Sequence, residues 1–155
     1  MADEHTRYGA AIGLFRGKEI YMSRRIDVPL FPKKWQFVNG RLKGSEQSLD
    51  AAIRILQEQT GIKIDKSRLH YITGIPYTAT NEYYYIYLVH LQDLEIPVNT
   101  DIEHRSDWKL FSLEAAIVLD VVPGLRHILV KARRGLLKVE EEADPNRYES
   151  TDNYI

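Results

Sequence analysis

The sequence predicts an α/β or α+β protein, with a mixed β-sheet between α-helices the better fit. Three features carry that reading. Short runs of apolar, β-branched and aromatic residues, bounded by turn residues, recur from residue 8 to residue 111. A well-marked amphipathic helix interrupts them near residue 50, and two helical segments follow the last strand. Strands and helices are therefore interspersed, which places helices on the faces of a sheet. The 155 residues suit one compact domain. We assign residues 1–139 to it and residues 140–155, EEEADPNRYESTDNYI, to a polar C-terminal tail too poor in apolar residues to bury a core face.

Tyr8 to Phe15, YGAAIGLF, is a small-residue apolar strand. The turn Arg16-Gly17-Lys18 leads to Glu19–Arg25, which alternates as a hairpin partner should. IDVPLFPKK carries two prolines and several charges, hence a loop, and Trp35–Val38 is a short strand. Ser48 offers an N-cap for a helix over Leu49–Thr60, and Gly61 stands where a left-handed C-cap belongs. Leu49, Ala52, Ile53 and Leu56 fall at i, i+3, i+4 and i+7 and make its predicted buried stripe. Leu69–Ile75, Glu82–Leu91 and Trp108–Phe111 read as strands. Leu113–Leu119 and Leu125–Val139 read as helices separated by Pro123-Gly124.

Composition excludes several classes of function. A formal net charge of −1 gives no electrostatic case for binding nucleic acid. The absence of cysteine rules out disulfides, thiolate metal sites and a cysteine nucleophile. No window approaches the roughly 20 apolar residues of a membrane span, and MADEHTRYG lacks the apolar run of a signal peptide. A cytoplasmic location is the expectation. The histidines show no metal-ligand spacing.

The informative stretch is NGRLKGSEQSLDAAIRILQEQTGI, residues 39–62. Gly40, Glu46, Arg54, Leu56, Glu58, Gly61 and Ile62 match the signature G-x5-E-x7-R-E-U-x-E-E-x-G-U without insertion, U being a bulky aliphatic residue. The chain thus resembles the Nudix hydrolases, over approximately residues 6 to 120. The Arg24-Arg25 pair, Trp35-x-Phe37 ahead of the box and Trp108 beyond it resemble features of that family as well. The departures are Ile55 and Gln59, where the family has glutamates, and Val38-Asn39-Gly40 in place of Pro-Gly-Gly.

The resemblance implies the Nudix α/β/α sandwich and Mg²⁺-dependent (or Mn²⁺-dependent) hydrolysis of a nucleoside diphosphate linked to another moiety. On a helical wheel with Leu49 at zero, Ile55 lies about 120° and Gln59 about 80° to one side, with Glu58 opposite the stripe. Positions 55, 58 and 59 are therefore expected to share one arc off the apolar stripe. In the family that arc offers glutamates to divalent cations, which bind the diphosphate and activate water. With Ile55 unable to coordinate and Gln59 uncharged, the cation is expected to be weakly bound.

Carried onto this chain, the resemblance makes Glu58, Glu46 and Glu103 the metal ligands, Arg54 the residue that positions the carboxylates, and Gln59 a weak ligand. Glu82, Asp101 and Asp107 are further acids; for Glu82 and Asp107 a solvated surface position is the plainer reading, and Glu103 stands evenly between the two. Arg24, Arg25 and Gly40 would meet the substrate, although Arg24, Arg25, Lys33 and Lys34 fit a solvated basic patch equally well. Tyr83, Tyr85 and Tyr87 share one strand face and Tyr84, Ile86, Leu88 and His90 the other. Sheet packing is preferred for these tyrosines over a base-stacking wall. The partner expected is a small nucleotide derivative, with homodimerisation open, as it is often seen in the family. The alternative is a catalytically inactive Nudix-fold module that binds a nucleotide or a partner protein.

Overall fold

The computed structural model describes residues 5–135. Strand β1 (Arg7–Arg16) is the centre of a seven-stranded mixed sheet. Its interior residues from Gly9 to Phe15 are buried on both faces, which is why the segment is apolar without alternation. One edge of β1 pairs in parallel along its whole useful length with β6 (Glu82–His90), which pairs in turn with β5 (His70–Tyr77). The other edge is shared. Strand β2 (Glu19–Arg24) takes Leu14 to Arg16, and β4 (Val38–Arg41) takes Gly9 to Ile12, both antiparallel. Strands β3 (Trp35–Gln36) and β7 (Lys109–Ser112) pair with β2.

The predicted strand at Trp35–Val38 is thus two strands. At Phe37 the chain leaves β2 and crosses to β1, and Phe37 itself is buried in the core. Helix α1 (Ser48–Thr60) covers one face through Ala51, Ala52, Ile55 and Leu56, packed with Ala10, Ile12, Leu14 and Val38. Helices α2 (Leu113–Ile117) and α3 (Leu125–Arg133) cover the other, against Ala11, Phe15, Ile20, Phe37 and Ile86. The result is a layered α/β/α arrangement. No helix among the described residues is long and apolar enough to cross a membrane. The predicted polar tail, residues 140–155, and the end of the last predicted helix lie outside the described residues.

Helix α1 corrects two sequence expectations. Its N-cap residue is Gln47, which makes no side-chain cap; the Ser48 hydroxyl is within 2.6 Å of the Tyr87 hydroxyl instead. Gly61 does cap the other end, at φ 79°, its N–H bonding the Gln57 carbonyl at 2.9 Å. The buried face, Ala51, Ala52, Ile55, Leu56 and Thr60, is turned by roughly 60° from the predicted stripe. Leu49 and Ile53 sit half-buried at its margin.

Candidate functional site

The residues of the box divide into a salt-bridged cluster and a sealed contact. Arg54 on α1 holds the cluster together. Its Nε and one terminal nitrogen donate to the two carboxylate oxygens of Glu46, each at 2.9 Å. Its other terminal nitrogen donates to Glu58 Oε1 at 2.9 Å, and the Arg41 carbonyl accepts a further bond at 2.8 Å. Glu46 also accepts the Lys43 backbone N–H at 3.0 Å. These bonds, the Arg54 guanidinium first among them, hold the Glu46 carboxyl down at about 2 against an ordinary 4.5. Glu58 is half-exposed, with Lys43 at 3.9 Å. All three charged box identities therefore meet, but the carboxylates face a guanidinium.

Positions 55 and 59 face β4. Ile55 does not lie off the apolar face; it is 1% exposed, inside the α1 core. Gly40 explains the fit, because a Cβ there would stand only 3.1–3.3 Å from Ile55 carbons. Gly40 is thus a seat for Ile55 and is not among the residues lining the cleft described below. Gln59 donates through Nε2 to the Asn39 carbonyl and accepts the Asn39 N–H through Oε1 at 3.3 Å. Its amide is a two-point clasp on β4, and the carbonyl oxygen expected to be a weak ligand is engaged by that backbone N–H.

Glu103 is exposed on the loop before β7. The loop itself reaches α1, with the Thr100 hydroxyl donating to the Glu58 carbonyl at 2.8 Å and Arg105 reaching the Gln59 carbonyl at 3.5 Å. Asp101 pairs with His104 at 3.0 Å, and Asp107 is exposed. Among the described residues no three His, Asp or Glu side chains converge in an arrangement that could hold a metal ion. The residues present do not fit the divalent-cation site that the box implies. Hard cations take several oxygen ligands, whereas here Glu46 is engaged bidentately by Arg54, Gln59 by Asn39, and Ile55 has no donor atom.

The other face of the sheet carries a cleft of about 260 Å³. Its floor is Ala11 and Ile86, with Tyr84 beside them. Gly9 admits the Tyr84 ring, since a Cβ at Gly9 would lie 2.3 Å from it. Val28, Pro29, Leu30 and Phe31 of the β2–β3 loop form one wall, Tyr77 another, and Val122 ahead of α3 with Leu125 at its start the back. That loop holds Asp27, Phe31 and Lys33 at φ of 51°, 49° and 65°. Non-glycine residues in that region are strained, and such strain gathers at ligand sites.

The cleft's polar groups come in two sets. Arg25 donates to the Leu30 carbonyl at 2.9 Å and to Gln36 Oε1 at 2.8 Å, and Asn39 Nδ2 donates to the same oxygen at 3.0 Å. Across from them, Arg41 donates to Glu82 Oε2 at 2.8 Å and the Thr80 hydroxyl to Glu82 Oε1 at 2.9 Å. Glu82 is 5% exposed, so the surface reading of that acid is wrong. Burial pushes the Tyr77 and Tyr84 hydroxyls up and the Arg25 guanidinium down, and the Glu82 charge is felt by all three.

Of the expected substrate contacts, only Arg25 reaches this cleft. Arg24 is exposed and bonds the Lys33 carbonyl at 3.1 Å, and Lys34 pairs with Asp120 at 2.7 Å. Tyr77, Tyr84, Glu82, Gln36, Asn39 and Arg41 were not expected to act together. Their one local signal is alternation, which sends Asn39 and Arg41 to the face opposite Val38 and Gly40, and Tyr84 opposite Tyr83 and Tyr85.

A model of the NUDIX domain matches residues 5–132. No curated protein sequence matches the chain significantly. Among solved structures, a MutT NUDIX hydrolase from Burkholderia pseudomallei is similar with a TM-score of 0.65 at 21% identity, over 86% of this chain and 100% of that one. An Ap4A hydrolase from C. elegans gives 0.62 at 22% identity over 84% and 98%. The dihydroneopterin triphosphate pyrophosphohydrolase of E. coli gives 0.62 at 19% identity over 80% and 92%.

Proposed function

This chain belongs to the NUDIX domain family, and from that premise we propose that it is a nucleotide-binding module whose box helix serves as architecture. The carrying observation is the contrast between the two sheet faces. The cleft on the α3 side is lined by aromatic rings and two guanidiniums, the chemistry that suits a flat base and a phosphate. On the α1 side, Ile55 and Gln59 are spent on β4. The similarity to hydrolases of nucleotide derivatives supports the ligand class without requiring turnover here. A volume of about 260 Å³ suits one nucleoside-sized group.

Hydrolysis is the second reading, favoured by the retained Glu46–Arg54–Glu58 cluster. One experiment separates them. Nucleoside mono- and diphosphates are titrated into wild type and Tyr84→Ala by calorimetry, and turnover is followed with and without Mg²⁺. Binding in wild type that weakens about tenfold in Tyr84→Ala, as loss of a stacked ring would cause, with negligible turnover, supports the module. Mg²⁺-dependent turnover at an ordinary rate of about 1 per second or faster overturns it, as does binding that ignores Tyr84.

A further inference from the structure

We propose that Glu82 selects the ligand's ring, accepting from an edge that presents two adjacent N–H donors, as a 2-amino-4-oxo purine or pteridine does. This rests on the cleft reading above and names the ring it takes.

Glu82 opens β6, where its side chain is 3% exposed and lines the cleft beside Tyr77 and Tyr84. A buried carboxylate is costly unless its oxygens are satisfied. A carboxylate offers about four acceptor positions. The structure fills one on each oxygen, with Arg41 at 2.8 Å and Thr80 at 2.9 Å. Each oxygen keeps acceptor capacity beyond that one bond, which a bidentate donor edge would use. The ordinary alternative, an ion pair that merely ties β4 to β6, would work as well on the open surface. Here the pair borders an aromatic cleft instead, and its charge is felt by Arg25, Tyr77 and Tyr84.

The complementarity excludes other common rings. The Watson–Crick edges of adenine and cytosine place an acceptor nitrogen beside their amino donor, so one carboxylate oxygen would face a lone pair. Uracil has a single N–H between two carbonyls. Guanine presents N1–H and the 2-amino group together, and a 2-amino-4-oxo pteridine presents the same pair. Arg25 and Arg41 against Glu82 leave one positive charge in the cleft, which suits an attached phosphate more than a neutral nucleoside.

The test is a calorimetric comparison on the full chain of guanosine, inosine and adenosine 5′-monophosphates, with neopterin as a separate arm. Guanosine 5′-monophosphate is expected to bind at least about tenfold tighter than the adenosine compound, the scale of one good bidentate contact. The inosine compound, which lacks the 2-amino donor, is expected between them. Glu82→Gln offers one acceptor and one donor, so the guanosine preference is expected to collapse while Tyr84→Ala weakens all ligands alike. The neopterin arm tells whether the pteridine shares the preference. Equal binding of all three nucleotides, or preference for adenosine, overturns the Glu82 assignment and leaves the cleft reading intact. A guanosine preference that survives Glu82→Gln also overturns it. Absence of binding by every ligand overturns both. Should Glu82→Gln fail to fold, equal binding or an adenosine preference in the wild-type panel still overturns the assignment.

Discussion

Ile55→Glu restores the residue that the family signature has at this position, and the structure makes its cost calculable. Ile55 is 1% exposed and packs with Ala10, Ile12, Val38 and Leu56. Glutamate is similar in size, so the cavity contribution is small and the charge dominates. A fully buried carboxyl can have its pKa raised by up to 3–5 units. A rise of about 3 units above the unfolded value of about 4.3 costs about 4 kcal/mol at a pH above the folded value. The sign follows from proton binding. The folded variant holds its proton at a pH where the unfolded chain has released it, so stability falls as pH rises from about 4 to about 7. At 2–4 °C per kcal/mol, the melting temperature at pH 7.5 drops by about 8–16 °C relative to wild type. Urea midpoints of both proteins from pH 4.5 to 7.5 provide the assay, the gap being smallest at pH 4.5. A variant as stable as wild type at pH 7.5, with no pH-dependent gap, would refute the burial of position 55 and return it to a solvent-facing, metal-accessible arc.

Four shorter expectations accompany it. Glu46, held down at about 2 by Arg54, contributes stability that is present above about 4.5 and lost as pH falls towards 2; acid unfolding of Glu46→Gln is expected to lack that component. Free Mg²⁺ is expected to bind no tighter than the millimolar range by calorimetry, and micromolar binding would mean that Glu46, Glu58 or Glu103 rearrange into a site. Gly9→Ala places a Cβ 2.3 Å from the Tyr84 ring and 2.7 Å from the Gly40 carbonyl oxygen, so a lower melting temperature and weaker nucleotide binding are expected together. In Gly40→Ala the three atoms nearest the new Cβ all belong to Ile55, at 3.1–3.3 Å; Ile55→Val is expected to recover part of its stability loss, and no recovery would argue against that contact.

The sheet was largely legible because its signals are local. The small apolar run of β1 and the aromatic run of β6 each fell within a residue or two of the observed strand. The division of Trp35–Arg41 into two strands was not legible, since nothing in the local sequence says that the pairing partner changes at Phe37. Helix α1 showed its limits in the sequence but not its rotation. Leu49 and Ile53 score as apolar yet lie at the margin, while small Ala51 and the β4 seat at Gly40 decide which side packs. Ser48 had the chemistry of a cap, but its hydroxyl pairs with Tyr87, 39 positions away. The cleft was the least legible, being assembled from the ends of β2, β4, β5 and β6 and the start of α3. No spacing along the chain brings Arg25, Arg41, Tyr84 and Glu82 together; only the pairing of β2, β4 and β6 along the two edges of β1 does.

The two departures from the family signature are physically coupled through β4. Glutamates at 55 and 59 would stand one helical turn apart, where like charges repel unless a cation lies between them. With no such cation, each carboxylate would also face a group it cannot bond. Position 55 meets the seat at Gly40, which is apolar, and position 59 meets the Asn39 carbonyl, which accepts. Isoleucine answers the first with packing, and glutamine answers the second with the donor that a carboxylate lacks. The clasp on Asn39 then has a consequence across the sheet, because Asn39 Nδ2 bonds Gln36 Oε1, which also receives Arg25. A continuous set of hydrogen bonds thus runs from the box helix to the cleft wall. Gln59→Glu is accordingly the milder of the two reversions for stability, since Gln59 is only half-buried. It is the one that should loosen Asn39 and, through it, the cleft.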